Sequence, residues 1–179
     1  MTFNSETVKE LSENVEFLLE QGFRSIVPGI DSFDTKWEEQ HIETLRKEIL
    51  TIKEIQKKYP KALISLCDPL SICGTECTGG IKSKHIYYDR KIFPCTITCG
   101  HEEFLIGDVN TGVNIKQVEY LQEKSRDGNS ICSECDLLQF CSGARCKYIS
   151  KLITGSFVQP AAIDCNWTRL IYEMNGYSL

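Results

Sequence analysis

The sequence predicts an α+β chain in two parts. Helical and strand periods alternate up to about residue 66, and a cysteine-rich region with a hairpin and short helices follows. Two observations carry this. Apolar residues recur every three or four positions in two early segments, each followed by a short apolar run. All ten cysteines of the 179 residues then fall between Cys67 and Cys165.

The elements follow in order. Val8, Leu11, Val15 and Leu18 share one face of a helix over residues 5–21, with Ser5 as its expected N-cap and Gly22 as its stop. Residues 23–27 read as a strand closed by Pro28-Gly29. A longer helix is expected over residues 36–59, where Trp37, His41, Leu45, Ile49, Ile52 and Tyr59 lie near one face and Pro60 ends the run. Residues 62–66 read as a second strand. Helix, strand, helix, strand is the order of α/β units with parallel strands, yet two strands do not make a stable sheet. The segment 1–66 therefore reads as part of a larger sheet or as a surface that docks on something else.

After Cys67 the helical period stops. His85-Ile86-Tyr87-Tyr88 and Lys91-Ile92-Phe93 flank Asp89-Arg90 as the two arms of a hairpin. A helix is expected over residues 115–125 and a last one over residues 167–174.

Composition narrows the function. Apolar residues make up 41% and charged residues 25%, with a net charge of −5, which suits a globular fold and argues against a general nucleic-acid surface. No run approaches the ~18 apolar residues of a membrane span, and the first residues lack a basic and then apolar leader, so a cytoplasmic protein is expected. Thiols stay reduced in that compartment or bind metal, which weighs against a disulfide framework. Ten cysteines confined to one glycine-containing region are also poorly explained as buried core residues.

The densest run is Cys132-Ser133-Glu134-Cys135-Asp136-Leu137-Leu138-Gln139-Phe140-Cys141-Ser142-Gly143-Ala144-Arg145-Cys146. Two cysteines with two residues between them can turn both thiolates toward one centre. Cys73, Cys77, Cys95 and Cys99 form an upstream group, and Cys165 stands alone downstream. Four thiolates serve one [4Fe–4S] cluster or one structural zinc, and spacing alone leaves both open. A zinc-binding structural or interaction protein is accordingly the alternative reading.

The segment from Cys77 to Cys165 resembles the SPASM domain, the auxiliary-cluster domain that follows the catalytic barrel in many radical S-adenosylmethionine enzymes. Cys77-Thr78-Gly79-Gly80 is similar to the opening of its pattern. The stretch from Tyr88 to Cys95 is similar to its hairpin and second cysteine, and Ile106-Gly107-Asp108-Val109 to the turn that follows. Cys132, Cys135 and Cys141 match its two- and five-residue spacings, and Cys165 its last position. Two positions depart from the pattern. Arg90 stands where the family has glycine, and four residues rather than three separate Cys141 from Cys146.

The resemblance implies two [4Fe–4S] clusters with interleaved ligands. Cys132, Cys135, Cys141 and Cys165 would hold one, and Cys73, Cys77, Cys95 and Cys146 the other. Cys99 competes with Cys73, and Cys67 is a spare thiol. Residues 1–66 resemble, more loosely, the last helix–strand units of a radical S-adenosylmethionine (β/α) barrel. That enzyme family cleaves S-adenosylmethionine on a cluster held by three cysteines spaced by three and two residues. Here Cys73 and Cys77 are followed at the required position by Gly80, and Cys95 and Cys99 by Glu102. No catalytic residue is assigned. S-adenosylmethionine is expected only if a companion chain supplies the barrel, and a peptide or protein substrate is the expected partner. The stretch Cys146-Lys147-Tyr148 leans toward the peptide maturases of the family. His85 and His101 are weaker ligand candidates. His41 reads as edge cover for the helix, Asp31, Asp34, Glu38 and Glu39 as a solvated charged cluster, and Tyr87, Tyr88 and Phe93 as hairpin packing.

Overall fold

The computed structural model describes residues 1–67, 77–127, 130–141 and 146–176. The chain forms two compact units, Met1–Ile72 with Ala161–Leu179, and Cys73–Pro160. In chain order the first unit holds β1 (Thr2–Phe3), a 3₁₀ turn at Val8–Glu10, α1 (Leu11–Glu20), β2 (Ser25–Ile26), β3 (Gly29–Ile30), α2 (Glu39–Lys58) and β4 (Leu63–Ile64). The second holds β5 (His85–Ile86), β6 (Lys91–Phe93), 3₁₀ turns at Thr96–Thr98 and Glu102–Phe104, β7 (Gly107–Asp108), β8 (Gly112–Val113), α3 (Ile115–Arg126), α4 (Ser130–Ser133), α5 (Leu138–Cys141) and α6 (Lys147–Thr154). The chain then returns to the first unit with α7 (Ala162–Met174). The sequence division at residues 66 and 67 kept this last helix with the cysteine-rich part, whereas the structure gives it to the first unit.

The mixture of helix and sheet is the expected α+β class. In the first unit β2 pairs with β4 in parallel, Ser25 opposite Leu63 and Ile26 opposite Ile64. A second parallel pair, β1 with β3, was not foreseen. Ile26 and Ile64 turn inward onto Leu11, Val15 and Leu19 of α1 and Leu45, Ile49 and Ile52 of α2, all buried. On the other face of the pair Leu63 is exposed, and so are the neighbouring Phe23 and Val27. Leu170 and Ile171 of α7 enter the same core, and Trp167 packs on Phe3 with ring centroids 5.7 Å apart. Arg46 of α2 clamps Glu173 of α7 with two hydrogen bonds of 2.7 and 3.0 Å.

Caps explain where helices start. Asn4, not Ser5, organises the entry to the first helix, because its side chain accepts from the Glu6 and Thr7 amides. The Ser5 amide is instead held by Asp34 at 2.8 Å. Gly22 ends α1 at φ +96°, and the Phe23 amide donates to Leu18 across it, a closure that favours glycine. α2 starts three residues later than the sequence suggests. Glu38 caps it, while the Glu38 amide donates to the His41 ring at 3.0 Å. The acidic residues ahead of α2 are therefore caps and turn formers, not a merely solvated cluster.

The second unit is built on an antiparallel meander in the order β5-β6-β7-β8. Its hairpin turns over Tyr88, Asp89 and Arg90. The Arg90 amide donates to Tyr87, the Tyr87 amide donates to Lys91, and Arg90 lies at φ +73°. This is a three-residue turn with its third residue left-handed, the position that favours glycine. Arg90 occupies it at a cost of about 1 kcal/mol. At Gly107 a side chain would meet the Gly112 carbonyl oxygen at 2.2 Å, so β7 and β8 approach only because glycine is there. Phe93, Phe104, Ile106, Leu121 and Tyr148 form the core of this unit. The helix α6 had no sequence expectation.

Candidate functional site

The cysteines of the second unit fall into two groups. The first gathers around the hairpin. Cys77 opens the segment leading to β5 and is exposed. The loop behind it is tightly fixed. The Gly80 amide donates to Ser83 at 2.7 Å, and the buried Gln122 amide of α3 donates to the Gly79 carbonyl at 2.7 Å. A side chain at Gly79 would lie 3.4 Å from the Cys77 sulfur and 3.3 Å from Pro94, so the cysteine loop hugs the end of β6. Cys95 follows Pro94 directly. Thr98, fully buried, locks it by donating its hydroxyl to the Cys95 carbonyl at 2.9 Å.

Cys146 enters this group from far along the chain. It stands just before α6 and is half-buried. Burial pushes its thiol above the ordinary value. The Ile149 and Tyr148 amides at the start of α6 oppose that shift, and negative charge on Cys95 and Cys77 adds to it. Tyr148 sees the same three cysteines. Burial pushes its phenol up, and charge on Cys77, Cys95 and Cys146 pushes it further. Its hydroxyl is shielded from water and makes no hydrogen bond among the described residues. Cys99 sits beside Cys95, with its sulfur 3.5 Å from the Cys95 carbonyl oxygen, and burial raises its thiol too.

The second group is the run after α3. The Cys135 amide donates to the Cys132 carbonyl at 3.0 Å, the Leu138 amide to Cys135 at 2.9 Å, and the Cys141 amide to Leu137 at 2.8 Å. These turns fold the run back on itself around buried Leu137. Burial raises the Cys132 thiol, charge on Cys141 and Cys135 raises it further, and Lys147 pulls it down. Cys132 thus senses Cys141 and Cys135, while Cys146 senses Cys95 and Cys77.

The remaining candidates lie elsewhere. Cys165 is on α7, in the first unit. Cys67 follows β4 and packs against the core of that unit. Cys73 lies outside the described residues. His85 is exposed on β5, and His101 packs edge-on against Phe104. Tyr87 stacks on Tyr88 and Phe93, as hairpin packing requires, although Tyr88 itself is 86% exposed. Sequence reasoning missed Gln122, Thr98 and Lys147 as supports. It also passed over Tyr148 as a structural partner of the cysteines. Its one sequence signal is its place two residues after Cys146.

Among the described residues no cysteine is in a disulfide, and no three His, Cys, Asp or Glu side chains are drawn to metal-binding distances. No helix among them is long and apolar enough to cross a membrane. The donor chemistry still fits a sulfur-bound metal group. Beyond burial, negative charge on two neighbouring thiols raises Cys146 and likewise Cys132, and a cation or cluster relieves that repulsion by binding the thiolates. The orphaned Tyr148 hydroxyl fits the same occupant, since thiolate sulfur accepts a hydrogen bond. Comparison with models of known protein families finds no match, and comparison with curated proteins finds none either.

Proposed function

We propose that this chain binds two [4Fe–4S] clusters as the SPASM-like portion of a radical S-adenosylmethionine enzyme that modifies a peptide or protein. One observation carries the reading: Cys146, far along the chain, packs on the same core as Cys95, and beyond burial its thiol is raised by charge on Cys95 and Cys77, whereas Cys132 is raised by charge on Cys141 and Cys135. The division does not follow chain order. Cys146 is nearest in sequence to the second set and joins the first. This supports the interleaving that the sequence resemblance implies, and the resemblance supplies Cys73 and Cys165 as the fourth ligands.

Clusters held this way supply electron transfer or an iron site for docking substrate. The chain's own part is to position and tune. Gln122 and Thr98 fix the loops of Cys77 and Cys95, and the first amides of α6 favour thiolate at Cys146. The three-cysteine motif for S-adenosylmethionine is not among these 179 residues, and a barrel outside them would provide that step. The exposed apolar face of the β2–β4 pair supports an incomplete sheet, because parallel sheets are ordinarily covered on both faces.

Anaerobic purification and cluster reconstitution test the proposal. A brown protein with about eight irons and eight sulfides per chain is expected. A colourless protein with two zincs and no sulfide would replace it with the zinc alternative.

A further inference from the structure

β5 is the open edge of the meander. The sheet runs β5-β6-β7-β8, and among the described residues no strand pairs with the outer side of β5. Register shows which groups that edge offers. The Tyr87 amide donates to Lys91, and hydrogen-bonded and non-hydrogen-bonded pairs alternate along an antiparallel ladder. Ile86, opposite Ile92, therefore turns its own N–H and C=O away from β6. Ile92 obeys the same alternation, its carbonyl accepting from the Ile106 amide on the β7 side. Side chains along this edge are also uncovered. Lys84 and Ile86 share one face with Tyr88 beyond them, and Ile86 is 63% exposed, while Tyr87 turns to the other face and packs on Phe93. At Lys84 the edge meets a cavity of about 570 Å³ between the loop from Gly80 to Lys84 and α3, lined by Ile81, Ile115 and Val118.

Charge decides what such an edge accepts. The chain carries a net −5, yet Lys82, Lys84 and Arg90 cluster on and beside β5. Among the described residues none of the three has a carboxylate partner, and the Lys84 ammonium donates to the Ile81 carbonyl at 2.9 Å. The neighbouring Asp89 is held by Lys91 at 3.5 Å. A second copy fits this edge poorly. Two β5 edges paired antiparallel about Ile86 would set Lys82 of one copy toward Arg90 of the other, and opposed like charges destabilise a ladder. We propose that the β5 edge is a docking strand for an extended acidic peptide: its backbone pairs with the Ile86 N–H and C=O, its carboxylates meet Lys82, Lys84 and Arg90, and an apolar side chain enters the cavity beside Lys84. Backbone pairing supplies the affinity of such a complex, and alternate side chains supply its specificity. The cavity rim is mixed in sign, with Arg126 against Glu119 and Glu123, so its apolar lining selects what enters. The inference needs only the folded meander and stands apart from the clusters proposed above.

The test uses the full chain, purified anaerobically, and a fluorescein-labelled peptide of alternating glutamate and valine, followed by fluorescence anisotropy. Saturable binding is expected, weakening as salt rises. Lysine in place of glutamate, or N-methyl groups along the peptide backbone, should each lower affinity about tenfold. Lys82→Glu combined with Lys84→Glu should weaken the acidic peptide and strengthen the lysine one, and both side chains are exposed, so the fold is kept. Hydrogen exchange gives the position: the Ile86 amide should gain protection on binding while the Leu45 amide does not. No binding of the acidic peptide overturns the inference. So does an N-methylated peptide of equal affinity, since charge alone would then hold it without strand pairing, and so does a charge-reversed chain that binds as tightly as the wild type. A chain that dimerises with its Ile86 amide protected gives the edge to a second copy and overturns it too. The two proposals fail separately. A colourless protein that binds the peptide keeps the docking edge and loses the clusters, and a brown protein that ignores the peptide does the reverse.

Discussion

Serine in place of one cysteine separates the two thiol sets most directly. Cys146→Ser removes a thiolate from the Cys77–Cys95 set, and Cys132→Ser removes one from the other. Each is expected to lower iron from about eight to about four per chain. The two variants should retain different paramagnetic signals. If Cys146→Ser and Cys132→Ser lose the same signal, the interleaving is refuted. Cys99→Ser and Cys73→Ser decide the fourth ligand of the first set by the same measurement. Arg90 offers a test of backbone strain. Arg90→Gly relieves the left-handed conformation at φ +73° and should stabilise the second unit by about 0.5–1 kcal/mol, read as a higher denaturant midpoint with unchanged slope. Tyr148 shows why residue-level reading of a sequence falls short. A tyrosine near a cysteine gives no hint of which way it points. Only the fold packs its ring on Phe104 and shields its hydroxyl from water.

At the scale of elements, the β7–β8 turn depends on one missing side chain. Gly107→Ala would drive a methyl group into the Gly112 carbonyl and should cost about 2 kcal/mol, as an overpacked contact does. Thermal melting of the variant measures it. The clamp between α2 and α7 predicts a pH dependence. The Arg46 guanidinium, through its hydrogen bond, holds the Glu173 carboxyl below its ordinary value of 4.5. The stabilisation is therefore complete above that value and is lost as pH falls through the lower folded one. Glu173→Gln should flatten this part of the stability profile between about pH 5 and pH 3 and leave the profile above pH 6 unchanged. These elements differed in how far the sequence disclosed them. The faces of α1 and α2 were readable because Leu11, Val15, Leu45, Ile49 and Ile52 keep a helical period. The hairpin was readable from two β-rich runs around Asp89-Arg90. α6 was not, because its eight residues follow a cysteine and offer only two turns of pattern. Ser5 looked like a cap by residue type, but Asn4 won because its longer side chain reaches two amides at once.

At the scale of the whole molecule, metal binding and folding of the second unit should be one event. Its core is small, and thiols from the hairpin and from the start of α6 must converge for a cluster to form. Stripping the metal with a chelator is expected to remove amide-exchange protection from residues 77–160 while α1 and α2 keep theirs. Equal loss in both units would refute that coupling. The two sets of cysteines also mark the limit of spacing as a guide. The Cys132–Cys135 turn is written within four consecutive residues, whereas the grouping of Cys146 with Cys77 and Cys95 depends on the meander and α6 folding around one core.

The first unit is assembled from both ends of the described chain, with α7 completing a core begun by α1 and α2. On the ribosome this imposes an order of events. Nine of the ten cysteines have emerged before α7 is synthesised, and the tenth, Cys165, arrives with it, so the first unit's last helix and the last proposed cluster ligand come together. Until Trp167, Leu170 and Ile171 arrive, Phe3 and the inner faces of the early helices stay uncovered, and a nascent chain paused near residue 160 would be a natural client for a chaperone.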